Sequence, residues 1–159
     1  MKRLSCIIVL ISLVCLTAAA FAADLKPRKP GPGDKCPVCG MFVSKYSDFA
    51  AQIQFKDGTV VYFDGPKDLF TYYQGLSRYN PKEKQSDVAA VFVTSYYTQT
   101  PIDGFSAWYV AGSDVFGPMG RELIPFAWES EAREFSRDHK GKALLRFHAI
   151  TPAIVEGLN

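Results

Sequence analysis

Over Ala51-Gln52-Ile53-Gln54-Phe55 the chain alternates apolar and polar positions, the period of a strand with one buried face. Asp57-Gly58 comes next, a hairpin turn signal because both central positions of that turn favour φ > 0, so Thr59 to Phe63 is expected to return as a second strand. Asp64 is placed to cap a helix, with Pro66 in its first turn, where a missing N–H does no harm. From Lys67 to Tyr73 the apolar spacing puts Leu69, Phe70 and Tyr73 on one face, and Gly75 ends the helix. Ser77 to Asp87 is a polar connection, and Val88 to Tyr97, rich in Val, Phe and Tyr, is expected as a buried strand.

The second half runs through the same order. Ala107 to Gly112 predicts a strand, Ser113 to Gly120 a loop, Glu122 to Phe126 a strand, Ser130 to His139 a helix and Ala143 to Ile150 a final strand. Phe63 and Phe126 close the second strand of each half, and Tyr72 and Phe135 follow nine positions later in the helices. The fold class expected is α+β, two small homologous ββαβ units preceded by a flexible N-terminal arm. The boundaries drawn are a cleaved signal peptide over 1–22, the arm over 23–35, units over 36–98 and 99–152, and a tail over 153–159.

The leader is read from Met1-Lys2-Arg3, a basic start, the apolar run Leu4 to Leu16, and the small-x-small site Ala20-Phe21-Ala22. The protein is therefore expected to be exported to the periplasm. Leu13-Val14 before Cys15 is a poor lipobox, which favours a soluble product, with an uncleaved leader as the membrane-anchored alternative. Removing Lys2 and Arg3 leaves sixteen basic against sixteen acidic residues, and without a basic excess there is no electrostatic footprint for nucleic acid. The Pro/Gly-rich stretch Pro30-Gly31-Pro32-Gly33 reads as an extended, mobile lead-in to a cluster of cysteines.

That cluster, Cys36-Pro37-Val38-Cys39-Gly40-Met41, gathers three sulfur donors within six residues. Thiolate and thioether sulfur select soft ions, above all copper(I). Haem attachment is excluded because Gly40, not His, comes directly after the second cysteine. A closed zinc site needs four ligands, and Cys6 and Cys15 lie in the leader, so His139 or His148 would have to serve. A thioredoxin-like pair belongs at a helix N-terminus, and a plain structural disulfide suits an exported chain; both stay open. Met119, in the Gly/Pro-rich stretch Gly117-Pro118-Met119-Gly120, is a candidate fourth sulfur donor, against the alternative of a core gap-filler. His139 closes a helix, where it suits the C-terminal carbonyls, and His148 reads as a strand histidine.

These residues resemble the NosL family, accessory proteins of nitrous oxide reductase. The resemblance is carried by Cys36-Pro-Val-Cys39-Gly-Met41, by Phe63-Asp64 leading into a helix, by Gly112-Ser113-Asp114 through Gly117-Pro118-Met119-Gly120, and by Ile124-Pro125-Phe126. It implies a periplasmic copper(I)-binding chaperone that serves the machinery assembling the copper sites of nitrous oxide reductase, or of a related copper enzyme. It places the metal ligands on Cys36, Cys39, Met41 and Met119. Ligand exchange asks no covalent chemistry of the protein, and no nucleophile paired with a base or phosphate loop is recognisable, so an enzyme is not expected. The alternative is a thiol-disulfide oxidoreductase with Cys36 attacking and Cys39 resolving.

Overall fold

The computed structural model describes residues 25–159, so the expected leader, with Cys6 and Cys15, lies outside the described residues. In chain order the elements are β1 (Ala51–Phe55), β2 (Val60–Phe63), α1 (Pro66–Gln74), the short α2 (Leu76–Tyr79), β3 (Val88–Thr94) and β4 (Pro101–Asp103). Then come β5 (Trp108–Gly117), β6 (Gly120–Phe126), α3 (Glu129–Asp138), β7 (Ala143–Arg146) and α4 (Pro152–Glu156). Two antiparallel sheets form, with strand orders β2-β1-β3-β4 and β6-β5-β7. Each half is thus ββαβ with its first strand flanked by its second and third. The paired landmarks repeat as contacts: Phe63 meets Tyr72 at 5.2 Å between ring centroids, and Phe126 meets Phe135 at 5.0 Å.

The two halves share their main core. Ile53, Phe63, Leu69 and Phe70 from the first pack with Tyr109, Leu123 and Phe147 from the second, while Val110, Ile124, Phe126, Ala132 and Phe135 form a smaller cluster under α3. Phe70 stands edge-on to Tyr109 at 5.3 Å and lies 4.7 Å from Phe147. The buried Tyr109 hydroxyl donates to the Gly104 carbonyl at 2.7 Å, which removes the penalty of an unpaired buried polar group.

Several expectations are corrected. The stretch 113–120, expected as a loop, is mostly strand: β5 runs on through an irregularity between Ala111 and Phe116 to Gly117, and Gly117 pairs with Gly120. Only Pro118 and Met119 turn. Proline suits the first corner of such a turn, and Gly120 takes φ +88°, open to glycine at no steric cost. Pairing of Phe116 and Gly117 with Arg121 and Gly120 of β6 overrode the glycine-containing composition at the end of the stretch. β4 adds to the first sheet although 99–152 was assigned to the second unit. The last strand stops at Arg146, where a 3-10 turn sinks Phe147 into the core, and the expected tail instead forms α4, with Val155 and Leu158 buried.

The described part of the arm is extended, and residues 26–28 lie against β1. All five residues of β1 are buried, because the polar alternates face the arm instead of water. The Gln52 side chain accepts from Arg28 N at 2.9 Å and donates to Arg28 O at 2.8 Å, and Gln54 Nε2 donates to Lys26 O at 2.7 Å. This reciprocal amide pairing fastens residues 26–28 across the face of β1.

Asp64 does not cap α1 as expected. The cap residue is Gly65, which offers no side chain, and the acceptor comes from the other half: Glu122 Oε1 on β6 takes the amides of Lys67 at 2.5 Å and Leu123 at 2.8 Å. A Cβ on Gly65 would overlap Glu122 Oε2, so glycine is required for the approach. Burial pushes the Glu122 carboxyl up to about 8, against the amides of Leu123 and Lys67 and the Lys67 ammonium, which favour the ion; Asp68 adds to the rise. The folded chain therefore holds a proton that the unfolded chain has lost between about pH 4.5 and 8, and stability falls as pH rises through that window. Glu122→Gln should flatten this slope, worth a few kcal/mol at about 1.4 kcal/mol per pKa unit, in denaturant melts run from pH 5 to 8.5.

Candidate metal centre

The cysteine pair sits in a tight turn closed by its own backbone. Lys35 and Phe42 form an antiparallel bridge, Cys36 N donates to Met41 O at 2.9 Å, and Gly40 N donates to Cys36 O at 2.8 Å. Gly40 takes φ +81° to complete the reversal, a conformation that costs a side-chain-bearing residue more. The amides of Cys39 and Val38 point at the Cys36 sulfur, and that of Met41 at the Cys39 sulfur. Amides so aimed favour the thiolate.

Facing this turn are two carboxylates the sequence did not assign to the site. Asp64 lies between β2 and α1, and Asp68 lies one helical turn further on. Cys36 Sγ donates to Asp68 Oδ2 at 3.2 Å, and Cys39 Sγ donates to Asp64 Oδ1 at 3.1 Å. One donor atom from each of the four residues lies within 4.8 Å of all the others. Cys36, Asp64 and Asp68 are buried, at 1%, 1% and 6% exposure, whereas Cys39 is half-buried and gives the cluster its open side. Both cysteines are free thiols.

Burial dominates the electrostatics. It pushes the Cys36 thiol far above its ordinary range and the Cys39 thiol up to about 12, with the neighbouring carboxylates adding to both and the turn amides opposing. Asp68 is also raised, first by burial, while the two thiols act against the rise. Among the described residues no cationic side chain forms an ion pair with Asp64 or Asp68. Four acidic groups therefore converge in a cluster that supplies no positive charge of its own.

Of the four sulfur donors expected, Cys36 and Cys39 are brought together, and Met41 is held half-buried in the same turn. Met119 stands at the tip of the β5–β6 hairpin, 44% exposed. Its carbonyl accepts from Lys67 Nζ at 2.8 Å, so the hairpin tip is fastened to the residue next to Asp68. The histidines lie apart from the cluster. His139 stands just past the end of α3, with its ring 4.4 Å from Phe135 and Nδ1 3.1 Å from Asp114 Oδ1. His148 is in the 3-10 turn, not a strand, and stacks on Phe105. A groove of about 430 Å3 lined by Pro27, Ser47, Phe92 and Pro101 contains none of the cluster residues.

The NosL family model matches residues 27–155, and its span takes in the cysteine turn, α1 and the β5–β6 hairpin together. The chain belongs to the NosL family. A curated member, the copper-binding lipoprotein NosL of Stutzerimonas stutzeri, is 29% identical over 134 residues, covering 84% of this chain and 70% of that protein. The crystal structure of the copper chaperone NosL from Shewanella denitrificans superposes with a TM-score of 0.66 at 25% identity, covering 80% of this chain and 97% of that one. An NMR structure of apo-NosL from Achromobacter cycloclastes gives a TM-score of 0.47 at 26% identity, over 66% and 87% of the two chains. The α+β fold with two antiparallel sheets is thus that of a NosL protein.

Asp64, Asp68 and Lys67 are what sequence reasoning missed in this NosL chain. The available signal was the spacing Asp64-Gly-Pro-Lys-Asp68 at a helix start, which puts two acids one turn apart; only one was used, as a cap. Lys67→Met keeps the aliphatic stem but removes the bond to Met119 O. Hydrogen exchange at 117–120 should accelerate, and stability should fall by about 0.5–1.5 kcal/mol, the net worth of one hydrogen bond.

Proposed function

We propose that this NosL protein is a periplasmic copper(I) chaperone that holds the ion on Cys36, Cys39, Met41 and Met119 and passes it to the machinery maturing nitrous oxide reductase or a related copper enzyme. The observation that carries this reading is the convergence of Cys36 and Cys39 in one tight turn, with their donor atoms inside a cluster no more than 4.8 Å across. Soft sulfur donors select copper(I) over harder ions. Membership of the NosL family, and the copper-binding names of the first two relatives above, support the same cargo. The leader read over 1–22 supports export.

Transfer follows from the depth of the donors. Cys36 is buried and Cys39 half-buried, while Met119 is exposed on a hairpin. An acceptor's sulfur or imidazole reaches copper from the open side, replaces the outer ligands first and leaves Cys36 until last. The ion never becomes free, and the chain acts by binding and release, not by catalysis.

The rival reading, a thiol-disulfide oxidoreductase, needs an accessible attacking thiol of lowered pKa. Cys36 is buried, and its turn precedes a 3-10 turn instead of opening an α-helix. Those features favour metal binding over attack.

An anaerobic copper(I) titration against a chromophoric chelator tests the proposal. The reduced chain should bind one copper(I); Cys36→Ser with Cys39→Ser should lose binding, and Met119→Ala should weaken it at least about tenfold, or ~1.4 kcal/mol. A reduced wild-type chain that fails to compete for copper(I) would overturn the reading.

A further inference from the structure

Sulfur ligation alone leaves Asp64 and Asp68 without a purpose. Both carboxylates are buried, their side-chain partners are the two thiols, and no cation among the described residues pairs with either. Burying ionised carboxylates without a counter-charge is costly. Copper(I), a soft ion, gains little from carboxylate oxygen, so the acids are not explained by that cargo. Nor do they cap α1, a task taken by Glu122.

We propose that Cys36, Cys39, Asp64 and Asp68 form a second mode of the site, a four-donor S2O2 set for a borderline divalent ion of the zinc class. The inference rests on the proposed reading of the two cysteines as metal ligands and adds a different ion and two further ligands. Zinc takes four ligands tetrahedrally, with sulfur at about 2.3 Å and carboxylate oxygen at about 2.0–2.2 Å, which sets neighbouring S···O separations near 3.5 Å. The two thiol-carboxylate contacts measure 3.1 and 3.2 Å, and all four donors fall within 4.8 Å. Release of the thiol protons and a slight opening of the cluster seat the ion. A dication also offsets more of the buried negative charge than a monocation does.

The two modes share the thiolates and differ in the rest. With the divalent ion bound, Cys36 and Cys39 are protected from oxidation to a disulfide in an oxidising compartment. Arriving copper(I) takes the thiolates by its softness, the carboxylates let go and thioether sulfur replaces them. One ion enters, the other leaves, and no electron is transferred.

Zinc and cobalt(II) are the probes, added separately to the reduced protein, with copper(I) titrated in parallel. Wild type should bind zinc, and cobalt(II) should show the intense visible bands of a tetrahedral site with sulfur charge transfer. Asp64→Asn and Asp68→Asn keep the shape and the acceptor oxygen. Each should weaken zinc by at least about tenfold and copper(I) by a clearly smaller factor, without lowering the melting temperature. Absence of zinc binding, zinc affinity untouched by both substitutions, or equal losses for zinc and copper(I) would each overturn the inference. Should the variants not fold, X-ray absorption on zinc-loaded wild type decides: two sulfurs and two oxygens support the set, and three or more sulfurs overturn it. Loss of copper(I) binding with zinc binding intact would refute the chaperone reading while leaving this one standing.

Discussion

The first turn of α1 has amides with no partner inside the helix, and how they are satisfied determines the rest of the structure. Glu122, from the other half of the chain, supplies the acceptor that Gly65 lacks, taking the Lys67 amide. That bond pins β6 to the start of α1. The Lys67 side chain then grips the Met119 carbonyl, and the next residue, Asp68, meets Cys36. Three demands of one helical turn, a buried amide, a largely buried ammonium and a buried carboxylate, are met by three different parts of the fold. Unsatisfied, each would cost more than a surface contact returns, which is why one helical turn can organise both halves.

The two ββαβ halves share strand order and internal aromatic contact, yet the chemistry sits at one of them. At the start of α1 the chain places Asp64, Gly65 and Asp68; at the matching start of α3 it places Ala127, Trp128 and Glu131, with Trp128 67% exposed. The cysteine turn precedes the first half, and the arm that leads into it is bound to β1 through Gln52 and Gln54. The second half contributes in another way, by lending Glu122 and the β5–β6 hairpin to the first.

The period of apolar residues revealed the repeated order because each half buries a sheet face under a helix, and that constraint is local. The cysteine turn was legible for the same reason: Cys36, Cys39 and Met41 are close in sequence, and Gly40 marks the reversal. Asp64 and Asp68 were not legible as site residues. Their meeting with the thiols spans 25 and 32 positions, and it is made by tertiary packing that buries Cys36 and Val43 in the shared core. Likewise Phe116 and Gly117 read as loop until β6 supplies partners, and 153–158 reads as tail until the core receives Val155 and Leu158. Where a residue's role depends on what a distant segment leaves unsatisfied, local pattern has nothing to say.

The proposed chaperone role asks that the ion be held firmly against water and loosely against a partner, and those demands conflict at any single ligand. Here they are separated in space. Cys36 is enclosed within the core that α1 and β1 share, while Cys39 is half-buried and Met119 rides on a hairpin tip held by its backbone, with the side chain left out. Fastening Met119 through its carbonyl restrains where the thioether can be without fixing its rotamer, and an unbranched thioether adjusts easily. If it ligates copper as proposed, such a thioether would detach readily and return quickly. Under the proposed ligation the enclosed sulfur would contribute retention and the outer sulfurs exchange, with the first turn of α1 fixing the Lys67 bond to the hairpin and the Asp68 contact to Cys36.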